Sequence, residues 1–83
     1  MVIVIFESEG QDLEGVPEYH SEYHGAFTNL DWAKGHARKC GWRGKKLTSI
    51  PKSEWGQFEL GNIPPTKILT FNGTSGTWLF YQY

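Results

Sequence analysis

Thr66-Lys67-Ile68-Leu69-Thr70-Phe71, then Asn72-Gly73-Thr74-Ser75-Gly76, then Thr77-Trp78-Leu79-Phe80-Tyr81-Gln82-Tyr83: this closing stretch decides the fold. Two runs rich in β-branched and aromatic residues flank a five-residue loop of Asn, Gly, Thr and Ser, the pattern of a β-hairpin. Alternation along the last run sends Trp78 and Phe80 to one face and Leu79, Tyr81 and Tyr83 to the other. One helix covers one sheet face, so some aromatic surface on the other face is expected to be exposed or to meet a second chain.

Working outward, Val2-Ile3-Val4-Ile5-Phe6 is apolar and mostly β-branched, which predicts a central strand covered on both faces, or one buried along most of its length. Residues 8–17 hold two Gly, one Pro and three acids and read as loop. Tyr19-His20-Ser21-Glu22-Tyr23-His24 reads as a second strand, with Tyr19, Ser21 and Tyr23 on one face and His20, Glu22 and His24 on the other. Lys46-Leu47-Thr48-Ser49-Ile50 alternates and is limited by Pro51. Residues 52–65 form an excursion, broken by Gly56, Gly61, Pro64 and Pro65, with a short edge-strand pattern at Gln57-Phe58-Glu59-Leu60.

One helix stands out. Thr28 is a suitable N-cap with Asp31 three residues on, and Phe27 and Trp32 occupy the positions of a hydrophobic staple. Leu30, Ala33, Ala37 and Cys40 recur at helical spacing as a narrow apolar stripe. Gly41 suits the left-handed residue that ends a helix, after which Trp42 can pack back on Ala37. The sum is an α+β domain, residues 1–83: an antiparallel-rich sheet of four to five strands with one helix packed on one face.

Composition narrows the function classes. A chain of 83 residues is one small domain, hiding only ~60–65% of its unfolded surface. One cysteine excludes an internal disulfide framework. The longest apolar run is the first six residues, far short of the ~20 of a membrane helix. No basic region precedes it, so a soluble, cytoplasmic location is expected. The formal charge of −1 conceals a polarised chain. Six of nine acids lie early (Glu7, Glu9, Asp12, Glu14, Glu18, Glu22), and six of eight bases follow together (Lys34, Arg38, Lys39, Arg43, Lys45, Lys46). Such asymmetry bears on partners and steering, not on fold; the two blocks can also screen each other across the surface.

Three constellations carry candidate chemistry. His20-x3-His24 with His36-x3-Cys40 supplies four zinc-type ligands. On a strand, however, His20 and His24 stand ~13 Å apart and cannot share an ion, while Cys40 falls on the apolar stripe, where a thiol acts as a small hydrophobe. No metal or other cofactor is therefore expected. His20 and His24 flanking Glu22 suggest general acid–base work, but no nucleophile elbow or phosphate loop accompanies them, so no catalytic residue is assigned and a non-enzyme is expected. The third is the better site: Lys34, Arg38, Lys39, Trp42, Arg43, Lys45 and Lys46 place cations beside an aromatic ring, suited to an acidic protein surface or to phosphates and a stacked base. The 13 aromatics suggest a second surface at Trp78, Phe80, Tyr81 and Tyr83; the alternative is that residues 52–65 cover them, with Trp55, Phe58 and Leu60 as a lid.

Over residues 27–50 and 77–81, less than half of the chain, the sequence resembles small phage-encoded anti-CRISPR proteins. The likeness rests on the helix pattern Leu30-x-x-Ala33-Lys34-x-x-Ala37-x-Lys39, a following strand and a late Trp78-Leu79 strand. It implies a non-enzymatic inhibitor acting by stoichiometric contact with a Cas effector, in the host cytoplasm. The large basic block departs from inhibitors that imitate nucleic acid with acids, and no family residue transfers position by position. The expected function is thus a protein-binding inhibitor; the alternative is a small nucleic-acid-binding domain using the Lys34–Lys46 block.

Overall fold

Five strands, β1 (Val2–Gln11), β2 (Pro17–Phe27), β3 (Thr48–Ser49), β4 (Lys67–Asn72) and β5 (Thr77–Gln82), form one sheet in the order β2-β1-β5-β4-β3. Every neighbouring pair is antiparallel, and one helix, α1 (Leu30–Lys39), packs on one face. The computed structural model describes residues 1–44, 46–58, 61–73 and 76–83. Lys45 of the basic block, Glu59 and Leu60 of the expected edge strand and lid, and Thr74 and Ser75 of the hairpin loop lie outside the described residues.

The expected alternation splits the core in two. Val2, Val4, Leu69, Trp78 and Phe80 face α1 and pack with Ala33, Ala37 and Trp42. Ile68, Leu79 and Tyr81 face the other way, joined by Ile3 and Ile5. That second face is closed by a 3-10 helix, Lys52–Gln57, whose Trp55 is buried and donates from Nε1 to the Ile50 carbonyl at 2.9 Å. Phe58 adds an edge-on contact to Tyr81, with ring centroids 6.2 Å apart. Trp78, Phe80 and Tyr81 are therefore buried and Tyr83 is half-buried. The second candidate surface is core, because residues 50–58 supply the apolar cover that one helix cannot give to two faces.

The N-terminal hairpin is longer than its composition suggests. Residues 8–11 and 17, expected as loop, are strand, with residues 8–11 pairing across the hairpin to 17–20 (Ser8↔His20 through Gln11↔Pro17). Only residues 12–16 turn. There Asp12 Oδ1 accepts from the amides of Glu14 (2.8 Å) and Val16 (2.9 Å), an Asx-type closure that meets the turn's own amides without a long loop. Pairing of β1 with β5 stops at Glu7↔Thr77. The remainder is a two-stranded acidic ribbon projecting beyond the sheet, on a molecule measuring 40 × 29 × 20 Å.

Three local expectations are corrected. The N-cap of α1 is Asn29, not Thr28: its Oδ1 accepts from the Trp32 amide at 3.0 Å. That shift of one residue removes the staple, and Trp32 is 69% exposed. Cys40 is exposed at the C-cap and not part of the apolar stripe. Of residues 46–50, only Thr48 and Ser49 are strand, although the Ile50 amide still donates to the Ile68 carbonyl at 2.8 Å. Among the described residues, no helix is long and apolar enough to cross a membrane.

Candidate functional site

The exit of α1 is built as its sequence requires. Gly41 takes φ +116°, which a side chain would resist. The Trp42 amide donates to the Ala37 carbonyl at 2.9 Å and the Gly41 amide to that of Arg38 at 3.3 Å, the two bonds of a Schellman motif. This turns Trp42 back into the core beside Ala37, as its position predicts; its ring lies 5.8 Å from that of Phe80. At 4% exposure Trp42 offers no face to a nucleic-acid base. Its role is local: the Arg38 guanidinium carbon sits 4.9 Å from its ring centroid, a cation–π contact that fixes the cation at the surface. Gly44, at φ +71°, keeps room for that arrangement, since a Cβ there would come within 3.3 Å of Arg38 Nε.

Arg38, Lys39, Arg43 and Lys46 are exposed and Lys34 is half-buried. Among the described residues, no lysine or arginine lies within 4.0 Å of a carboxylate; the carboxylates that approach a basic side chain are Glu18 at His20 and Glu22 at His24, each 3.5 Å. Among the described residues, the acidic and basic blocks do not pair at contact distance. Lys39 also borders a shallow groove with Phe27, Asp31, Trp32, Gly35 and His36. Trp32 is the exposed aromatic of this region, and sequence reasoning missed it by assigning it to the staple.

The structure brings together three of the four zinc-type ligands. His24 Nδ1 is 3.0 Å from His36 Nε2, and Cys40 Sγ is 3.6 Å from that same nitrogen. The three ligand atoms lie within 4.8 Å of one another. His36 and Cys40 meet because they are one helical turn apart. His24 reaches them through a β-bulge: Val4 pairs with Gly25 and Ile5 with Tyr23, which leaves His24 as the extra residue on β2. A bulge re-aims a side chain out of the regular pleat, and Gly25 at φ +127° permits this one. A glycine inside a strand pattern was the available signal. His24 thereby packs against Trp78, with centroids 5.0 Å apart, and its side chain is only 11% exposed. His20 stays away from the group, as strand spacing requires, in a cleft lined by Glu7, Glu9 and Asn72.

This geometry does not assemble a nucleophile–base–orienter relay. In such a relay the base binds the nucleophile through one ring nitrogen and its orienting partner through the other. Here Cys40 and His24 converge on the same nitrogen of His36. Nor does Glu22 gather the two strand histidines: it approaches His24, while His20 meets Glu18. Comparison of the chain with protein-family models, with curated proteins and with solved structures returns no match.

Proposed function

We propose that the chain is a non-enzymatic binding protein that docks an acidic surface of a protein partner on the exit of α1, through Lys34, Arg38, Lys39, Arg43 and Lys46. The observation that carries this reading is the absence, among the described residues, of any carboxylate within 4.0 Å of these cations. Unpaired cations steer association with an acidic patch. Arg38, already held over Trp42, has less freedom left to lose on binding. A protein partner is favoured over nucleic acid because the ring that would have stacked on a base is committed to the core. Exposed Trp32 beside Lys39 supplies the aromatic–cation pairing typical of protein interfaces. The resemblance to phage inhibitors makes Cas effectors the first partners to try.

The test uses the full chain and a triple charge reversal, Arg38→Glu, Lys39→Glu and Arg43→Glu, mixed with Cas effector–guide complexes and read by size-exclusion chromatography and target cleavage. The expected result is a stoichiometric complex and blocked cleavage with the wild type, both lost in the variant. Unimpeded cleavage with no complex would reject the Cas assignment. Binding to bare DNA or RNA that weakens steeply with salt would replace a protein partner with nucleic acid.

A further inference from the structure

The His24, His36 and Cys40 group has a chemistry that the docking surface does not use, and the inference drawn from it is independent of that surface. As three uncharged side chains, the group is poorly satisfied. His36 Nε2 carries either one proton or one lone pair. It cannot donate to both His24 and Cys40, and as an acceptor it must share a single lone pair between them. Both nevertheless sit within 3.6 Å of it. On the far side, His24 Nε2 is buried with no hydrogen-bond partner among the described residues. Glu22 Oε2 approaches it at 3.5 Å without hydrogen-bond geometry.

A divalent ion at the centre relieves this crowding. Zinc bonds of ~2.0–2.1 Å to nitrogen and ~2.3 Å to sulfur give a tetrahedron with edges of about 3.3 Å between nitrogens and about 3.6 Å between nitrogen and sulfur. The observed separations are 3.0 Å between the two histidine nitrogens and 3.6 Å between His36 Nε2 and Cys40 Sγ, while the third edge, His24 to Cys40, lies within 4.8 Å and is brought to bonding length by rotation of the exposed Cys40 side chain. Ligation through His24 Nδ1 leaves its Nε2 as the protonated nitrogen, 3.5 Å from Glu22 Oε2, which a small shift of the exposed Glu22 side chain would bring into hydrogen-bond geometry. That is the carboxylate–histidine–metal arrangement that fixes a ligand's tautomer and raises its basicity. Two imidazoles and a thiolate select zinc over the hard, oxygen-seeking cations.

We propose that His24 (through Nδ1), His36 (through Nε2) and Cys40 (through Sγ) form a zinc site, with Glu22 as the outer partner of His24 and the fourth coordination position open to water or to a ligand from another molecule. The site ties the C-terminal turn of α1 to the bulge of β2, two elements that the chain joins only through residues 28–29.

The test uses the full-length chain, reduced and stripped of metal with a chelator. Zinc alone is titrated against a chromophoric competitor, and cobalt serves as the spectroscopic stand-in. One equivalent of zinc should bind and raise the melting temperature. Cobalt should give the intense visible bands of a tetrahedral site together with a sulfur-to-cobalt charge-transfer band. Cys40→Ser, at an exposed position where loss of fold is not expected, should abolish the charge-transfer band and stoichiometric zinc binding. Glu22→Gln should weaken zinc ~10-fold, and His20→Ala should change nothing. His24→Ala is the less useful variant because that ring packs on Trp78. Failure of the wild type to bind one equivalent would overturn the proposal, and so would undiminished binding by Cys40→Ser or by His36→Gln.

Discussion

Gly76 shows how a single missing carbon holds two strands at their spacing. A Cβ at this position would run into the carbonyl oxygen of Glu7 and the ring of Phe6. Phe6 has little room to yield, since its ring lies 4.7 Å from that of Trp78. Gly76→Ala should therefore destabilise the fold by ~1–3 kcal/mol through overpacking. Gly35 is the contrast: a Cβ there meets nothing within 4 Å, so Gly35→Ala should stabilise α1 by ~1 kcal/mol. Chemical denaturation of both variants checks the pair, and equal effects would contradict the account. Neither difference is readable in sequence, where one glycine sits in a loop pattern and the other in a helix. His24 was hidden for a related reason. Regular alternation gives a residue its face, but only pairing with β1 shows that His24 is an insertion in the ladder.

Elements were legible where their signal is periodic and blurred where it depends on a partner. The closing hairpin, the first strand and α1 follow from alternation and helical spacing. The ribbon beyond Glu7 did not, because residues of poor strand propensity are held there by their mates across the hairpin. The start of α1 turned on a choice between neighbouring capping residues. Asn29 wins, its side chain bonding the Trp32 amide at 3.0 Å. Asn29→Ala should cost ~1 kcal/mol, whereas Thr28→Ala should cost a few tenths at most. Thermal melts of the two variants decide between the caps, and a larger loss at Thr28 would restore the staple geometry that places Trp32 against Phe27.

At the scale of the molecule, the sheet has apolar residues on both sides and needs two covers. The far cover buries Tyr81 and raises its phenol from the ordinary 10.0 to about 12, chiefly by burial, with the Glu7 carboxylate and Tyr83 adding to the shift. In the unfolded chain that phenol ionises near 10. Between pH 10 and about 12 the unfolded state therefore holds fewer protons than the native one, and stability falls as pH rises. Below pH 10 this group contributes no slope. Denaturation measured from pH 8 to 12 should show the decline, and Tyr81→Phe should flatten it; an unchanged profile in that variant would assign the loss to other groups. The need for a second cover was visible in the sequence, since one helix cannot face both Trp78 and Tyr81. Trp55 and Phe58 were legible as one of two options, a lid or an exposed interface; choosing the lid required the chain path through residues 50–58.

The bulge in β2 has one more consequence. This strand is a rim of the sheet, eleven residues long, and a long flat rim invites another chain to add itself. The displaced residue at His24 breaks the even row of amides and carbonyls on that rim, and Pro17, Glu18 and Glu22 lower its appetite further. One irregularity thus serves two ends: it delivers an imidazole to the helix, and it spoils the template along which identical molecules would zip together.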